Sequence, residues 1–204
     1  MMAFPKEFAK PDFWSHPEKR LTGDKNAARI YYAVGRSLTQ WELLETMMAL
    51  LFGVFNGRDA RAATQAYGTL NGTQGRADAI KYAGNAYFFS KDKSENYIKQ
   101  LKDVLLAYNN ASWKRNDIGH GVVTRFWNDD AKEDYGYFLT PPSYASKKVD
   151  FAKMFEGSGH NMMFNPLSYA LTAQDIMIHC SRFESMMHAV REFGRAIWTA
   201  YDAP

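Results

Sequence analysis

The sequence predicts an all-α fold, a helical bundle of about five helices with a small β-hairpin and loop insertion before the last one. Two observations carry that expectation. Three long stretches repeat apolar residues at helical spacing: Ile30, Val34, Leu38, Trp41, Met48 and Phe52; Tyr97, Leu101, Val104, Tyr108, Ala111 and Ile118; and Ile176, Cys180, Phe183, Val190, Ile197 and Tyr201. One segment alone changes period, with β-rich runs at 122–127 and 135–139 around the polar Asn128-Asp129-Asp130.

Composition sets the outer limits. With 204 residues, 46% of them hydrophobic and 15% aromatic, the chain can bury a substantial core and is read as one domain over 1–204. Such a composition excludes a disordered polypeptide. A net charge of +3 is far short of the dense basic surface of a duplex binder, so any nucleic-acid contact is expected to be local. Cys180 is the single cysteine, which rules out an intrachain disulfide and a cysteine-based zinc site and fits a reducing compartment. Pro5 and nearby charges sit where a signal peptide needs its apolar region, and the most apolar run, 47–55, is much shorter than the ~20 residues of a membrane span. A soluble, cytoplasmic protein is expected, with no membrane contact and no cofactor.

Taken in order, residues 1–23 form an irregular arm whose Phe4, Phe8, Phe13 and Trp14 are expected to pack on the chain's own core. A long helix follows from Asp24, its expected N-cap, to Phe55, where Gly53, Asn56 and Gly57 end it. Glu45 lies on the apolar stripe of that helix, and a carboxylate on a buried face needs a partner. Two shorter helices, 59–70 and 73–89, are separated by Asn71-Gly72, with Ile80, Tyr87 and Phe88 facing inward in the second. Asp92 and Glu95 resemble a capping box for the fourth helix, and Arg115 continues that helix's inward stripe. The hairpin and loop insertion spans 122–170, with Pro141-Pro142 stopping the second strand. Thr172 and Asp175 form a second capping-box pattern, which opens the last helix.

The chemistry concentrates where the fourth helix runs out into glycines, at Arg115-Asn116-Asp117-Ile118-Gly119-His120. A five-residue separation corresponds to an offset of ~140° on a regular helix, whereas Asn116 and His120, four apart, share a face. An arginine can grip a phosphodiester through paired hydrogen bonds and stabilise the added charge of its transition state. An imidazole can take a proton from a ribose 2′-OH or give one to the leaving oxygen, without a metal. The structural alternative is an ordinary helix C-terminus, with a cation favourably placed at the dipole and a histidine in a glycine loop.

These residues resemble the R-x4-6-H signature of the HEPN superfamily, with a polar residue directly after the arginine. The segment Gly35-Arg36-x4-Trp41-Glu42-x2-Glu45 is similar to the first long helix of HEPN-like bacterial proteins, and the resemblance covers about 24–121 and 172–201. It implies a metal-independent endoribonuclease, in a toxin-antitoxin, phage-defence or RNA-processing role, whose active site forms where two motifs meet in a homodimer. Arg115 would then hold phosphate, His120 would be the acid or base, and Asn116 would orient them. Glu45 and Glu42 are candidates to offset arginine repulsion at such a seam or to orient the histidine, with a structural ion pair as the alternative. Some HEPN proteins are instead non-catalytic helical modules that bind a partner protein or nucleotide, so an antitoxin or other partner protein belongs to both readings.

Three further groups attract attention. Arg125 beside Trp127, and Lys147 and Lys148 near Tyr144, could form a surface that touches RNA phosphates and stacks bases. Glu184, His188 and Glu192 repeat every four residues after His179 but lack the Glu-x-x-His spacing of a di-iron bundle, so a solvated ion-pair face is expected and no metal. Gly157-Ser158-Gly159-His160 lacks the lysine and the strand-to-helix setting of a phosphate-binding loop.

Overall fold

A computed structural model describes residues 3–57, 60–89, 91–92, 94–128, 132–145, 147–150, 153, 164 and 166–201. Among these the architecture is mostly helical: α1 (Ala27–Phe55), α2 (Ala60–Gly68), α3 (Gly72–Phe89), α4 (Glu95–Gly119), strands β1 (Val122–Asn128) and β2 (Glu133–Thr140), and α5 (Ala173–Tyr201). The hairpin stands before the last helix, as the change of period predicts. No helix among the described residues is long and apolar enough to cross a membrane. The chain divides into two compact units, one formed by 1–14, 40–113 and 182–204, the other by 15–39 and 114–181.

The first unit is built on the apolar stripes. Trp41, Leu44, Met48 and Leu51 of α1 are buried, as are Ile80 and Phe88 of α3, Leu101, Val104 and Tyr108 of α4, and Phe183 and Ile197 of α5. Gly84 lets α3 come close to α4, since a Cβ there would lie 2.4 Å from Leu101 Cδ2. Residues 3–14 are more ordered than an irregular arm. They form 3-10 turns at Lys6–Ala9 and Pro11–Trp14. The aromatics drive this: Trp14 is 1% exposed, stacks on Phe183 with ring centroids 5.8 Å apart, and donates its indole N–H to the Phe8 carbonyl at 2.7 Å. The arm aromatics thus pack on the chain's own core.

The second unit centres on the hairpin. β1 and β2 pair antiparallel from Val122↔Thr140 to Asn128↔Glu133, with an irregularity between Phe126 and Trp127. Phe138, Phe164 and Ala170 form a small buried cluster on which Phe126 and Tyr135 pack. The far edge of β2 is paired as well, because Asp24 exchanges two backbone bonds with Tyr137 and Leu171 exchanges two with Leu139. Gly136 has φ 86°, and a Cβ there would meet the Asp24 carbonyl at 2.8 Å. Glycine is required for that close pairing.

Two caps differ from expectation. Asp24 does not start α1; the Asn26 side chain does, accepting from the Ala28 N–H at 2.8 Å. The Asp24 carboxylate instead accepts from the Ala173 N–H at 2.6 Å, at the start of α5. There the Thr172–Asp175 box closes as expected, with Thr172 N–H donating to Asp175 at 2.9 Å and Asp175 N–H to the Thr172 hydroxyl at 3.3 Å. At α4 the Ser94 carbonyl takes the Ile98 N–H at 3.0 Å, so Ser94, not Asp92, occupies the cap position.

Candidate functional site

The motif occupies the last turn and a half of α4. The helix does not unwind at Gly119: it runs through that residue, and the His120 N–H continues the winding onto the Asn116 carbonyl at 3.0 Å. The five-residue offset between Arg115 and His120 is therefore kept. A Cβ at Gly119 would come within 3.5 Å of Leu38 Cδ2, so the face carrying Arg115 and Gly119, four residues apart, is the one turned toward α1. Arg115 is half-buried, while His120 is exposed.

Arg115 donates from Nη1 to the Asn116 Oδ1 at 3.2 Å. Its Nε is buried and makes no hydrogen bond among the described residues. A buried N–H without an acceptor is costly, by about 1–3 kcal/mol.

Between Asn116 and Ile118, Asp117 is buried and gathers a set of donors that the sequence did not single out. The His16 Nε2 lies 2.9 Å from one carboxylate oxygen, the Lys148 ammonium bonds the other, and Lys114 Nζ stands 3.7 Å away. Tyr169 donates its hydroxyl to the Asp117 backbone carbonyl at 2.9 Å. Burial raises the Asp117 pKa, but the hydrogen bonds and charge of His16 and Lys148 outweigh it and hold the carboxyl below its ordinary value. Burial first, and then the Asp117 charge, push the Tyr169 phenol up, so it remains a donor. The second His16 nitrogen faces His179 Nε2 at 3.1 Å. With both ring nitrogens engaged, His16 orients and braces; the exposed His120 is the imidazole of this helix end that faces solvent.

The other predicted residues fall into place differently. Glu45 lies in the first unit, buried, with its carboxylate filled by Tyr108 Oη at 2.8 Å, Tyr67 Oη at 3.2 Å and Arg76 Nη1 at 3.0 Å. The need for a partner on that buried stripe is met by a structural ion pair with Arg76. Glu42 is exposed, and its backbone carbonyl accepts the Thr46 hydroxyl at 2.9 Å. Arg125 is exposed but lies on Asp134, with contacts of 2.8 and 3.3 Å, and stands over the rings of Trp127 and Tyr137 at 5.7 and 5.8 Å. Lys148 turns onto Asp117, so only Lys147 of the three expected RNA contacts is presented without a carboxylate across from it among the described residues. Gly157-Ser158-Gly159-His160 lies outside the described residues. Among those described, no group of three or more His, Cys, Asp and Glu side chains is placed to hold a metal ion. Glu192 of the four-residue repeat accepts from Arg191 and Arg195 at 3.2 and 3.4 Å.

No family model matches the chain, and no curated protein or solved structure matches it either. The likeness to HEPN proteins therefore rests on the sequence patterns alone, the 115–120 helix end and the 35–45 segment.

Proposed function

We propose that the chain is a metal-independent endoribonuclease of HEPN type, in which Arg115 and His120 of one protomer complete a site with the same pair of a second. The supporting observation is the charge at the end of α4. Lys114 and Lys148 share the Asp117 carboxylate with His16, and Arg115, the residue after Lys114, adds a guanidinium whose Nε is buried without an acceptor among the described residues. That local excess of positive charge suits a phosphodiester. Because α4 stays wound through Gly119, one chain offers Arg115 and His120 on different sides of the helix, and a twofold partner supplies the complement. In this reading one imidazole takes the 2′-OH proton while another protonates the 5′-oxygen as the P–O bond breaks. The guanidinium stabilises the phosphorane charge, and a 2′,3′-cyclic phosphate is left.

The test is cleavage of a fluorescent single-stranded RNA in EDTA by the full chain. His120→Ala and Arg115→Ala are each expected to lower the rate by about a hundredfold or more, and a 2′-deoxy linkage at the cleaved position to be inert. Intact RNA at high protein concentration, with both variants folded, would remove the nuclease reading. The second reading is a non-catalytic binding module. Asp117 favours it, because the middle of the motif braces the segment at His16 and the loop at Lys148 of its own unit.

A further inference from the structure

We propose that the groove between α1 and α5 in the first unit is a docking site for an acidic amphipathic helix of a partner protein. This inference is independent of the nuclease reading. The cavity measures about 370 Å³. Its α1 wall is Met47, Leu50, Leu51 and Val54, and its α5 wall is Val190, Gly194 and Trp198. Exposed Leu43, one turn before Met47, extends the apolar stripe. Over 43–54 this stripe runs about 16 Å, three turns of helix, at the i, i+4, i+7, i+11 spacing that a helix laid alongside would read. Trp198 is 51% exposed and Leu50 44%, although both stand on helices whose opposite faces are fully buried. Gly194 keeps the floor low between them, with Leu51 Cδ1 3.8 Å from where its Cβ would be.

Charge selects the occupant. Arg191 and Arg195 line the α5 side, and both lean on the single carboxylate of Glu192, at 3.2 and 3.4 Å. Two guanidiniums sharing one carboxylate leave that rim net positive, so a helix with leucine-like residues on one face and glutamate or aspartate along the adjoining edge is complementary. A second copy fits less well, because a twofold axis through the groove would bring four arginines and two glutamates to one seam. The concave wall between two helices likewise suits a rod better than a flat lipid surface.

The experiment uses fluorescence anisotropy with the full chain and capped, labelled helical peptides carrying leucines at i, i+3, i+7 and i+10, with either glutamates or lysines along one edge. The glutamate peptide is expected to bind about tenfold more tightly than the lysine peptide, the effect of two rim charges. Arg191→Glu with Arg195→Glu should reverse that preference, and Leu50→Asp should remove binding of both; circular dichroism melting confirms that each variant is folded. Equal affinity for the two peptides, or a preference that survives the double reversal, overturns the proposal. So does self-association in sedimentation velocity that Leu50→Asp abolishes, which assigns the face to a second copy, or co-flotation with anionic vesicles that Leu50→Asp abolishes, which assigns it to lipid.

Discussion

Each unit of this chain holds a buried carboxylate that gathers several side-chain donors, Glu45 in the first and Asp117 in the second, and the two are satisfied by different chemistry. Glu45 is held by two phenols and an arginine, while Asp117 is held by a histidine and two lysines. Trp41 stacks on Tyr108 with ring centroids 5.6 Å apart, and Arg76 stands 5.4 Å from the centre of the Tyr67 ring, so the partners of Glu45 are themselves fixed by packing. The Tyr67 and Tyr108 phenols are both pushed above their ordinary pKa, chiefly by burial, and remain donors throughout the working range of pH. The partners of Asp117 are a histidine and two ammonium groups on flexible stems: the Lys148 side chain is 33% exposed and that of Lys114 21%, against 27% for Arg76 at the other centre. One centre is braced by buried aromatic donors, and the other by lysines whose ammonium groups can swing away.

That contrast fixes an order of effects. Glu45→Ala leaves two buried hydroxyls and a half-buried guanidinium without their acceptor, and should cost about 3 kcal/mol, a fall of about 6 to 12 °C in the melting temperature. Asp117→Asn should cost less, about 2 kcal/mol by urea denaturation at pH 7, because both lysines can swing into water. This second effect depends on pH. The folded-state pKa of Asp117 lies below the ordinary 3.8, so its contribution is complete above that value and is lost as pH falls through the lower, folded pKa. The gap in urea midpoint between wild type and Asp117→Asn should therefore close when the pH is taken from 7 to 2. Tyr108→Phe removes one of the three donors to Glu45 and should cost about 1 kcal/mol in the same assay. Arg125→Ala, on the open face of the hairpin, should move the midpoint least of all, since both Arg125 and Asp134 are solvated. A larger loss at Asp117 than at Glu45 would reverse the ranking of the two centres.

Periodicity made the helices legible. The stripes through Trp41, Tyr108 and Phe183 predict buried faces that are buried, and the loss of helical period after Gly121 locates the hairpin within two residues at each strand end. Caps were legible only where both partners are local. Thr172 and Asp175, three apart, announce their box, whereas Asp24 serves a backbone N–H at Ala173 that no local pattern can point to. The same limit applies at the motif. Glu45 stands out because it interrupts an apolar stripe, but its partner Arg76 lies on another helix, so the need was legible and the answer was not. Asp117 looked like one polar residue in a polar helix end. Its significance comes from His16, in an aperiodic segment, and from Lys148, in a loop, and neither carries a signal beyond its own charge.

The pairing of residues 23–24 and Leu171 with the outer edge of β2 bears on how the chain avoids its own kind. On the edge of β2 away from β1, the Tyr135 carbonyl and both backbone groups of Tyr137 and Leu139 are taken, by Gly23, Asp24 and Leu171. A two-stranded ribbon with a bare edge is a template for other strands. Residues 15–24 thus act as a built-in chaperone for the hairpin, held in part by the clasp of His16 on Asp117 and by the close approach that the glycine at 136 allows. Loosening that clasp exposes an adhesive edge, so the first symptom of damage at His16 or Gly136 would be aggregation through β2 before any loss of helix.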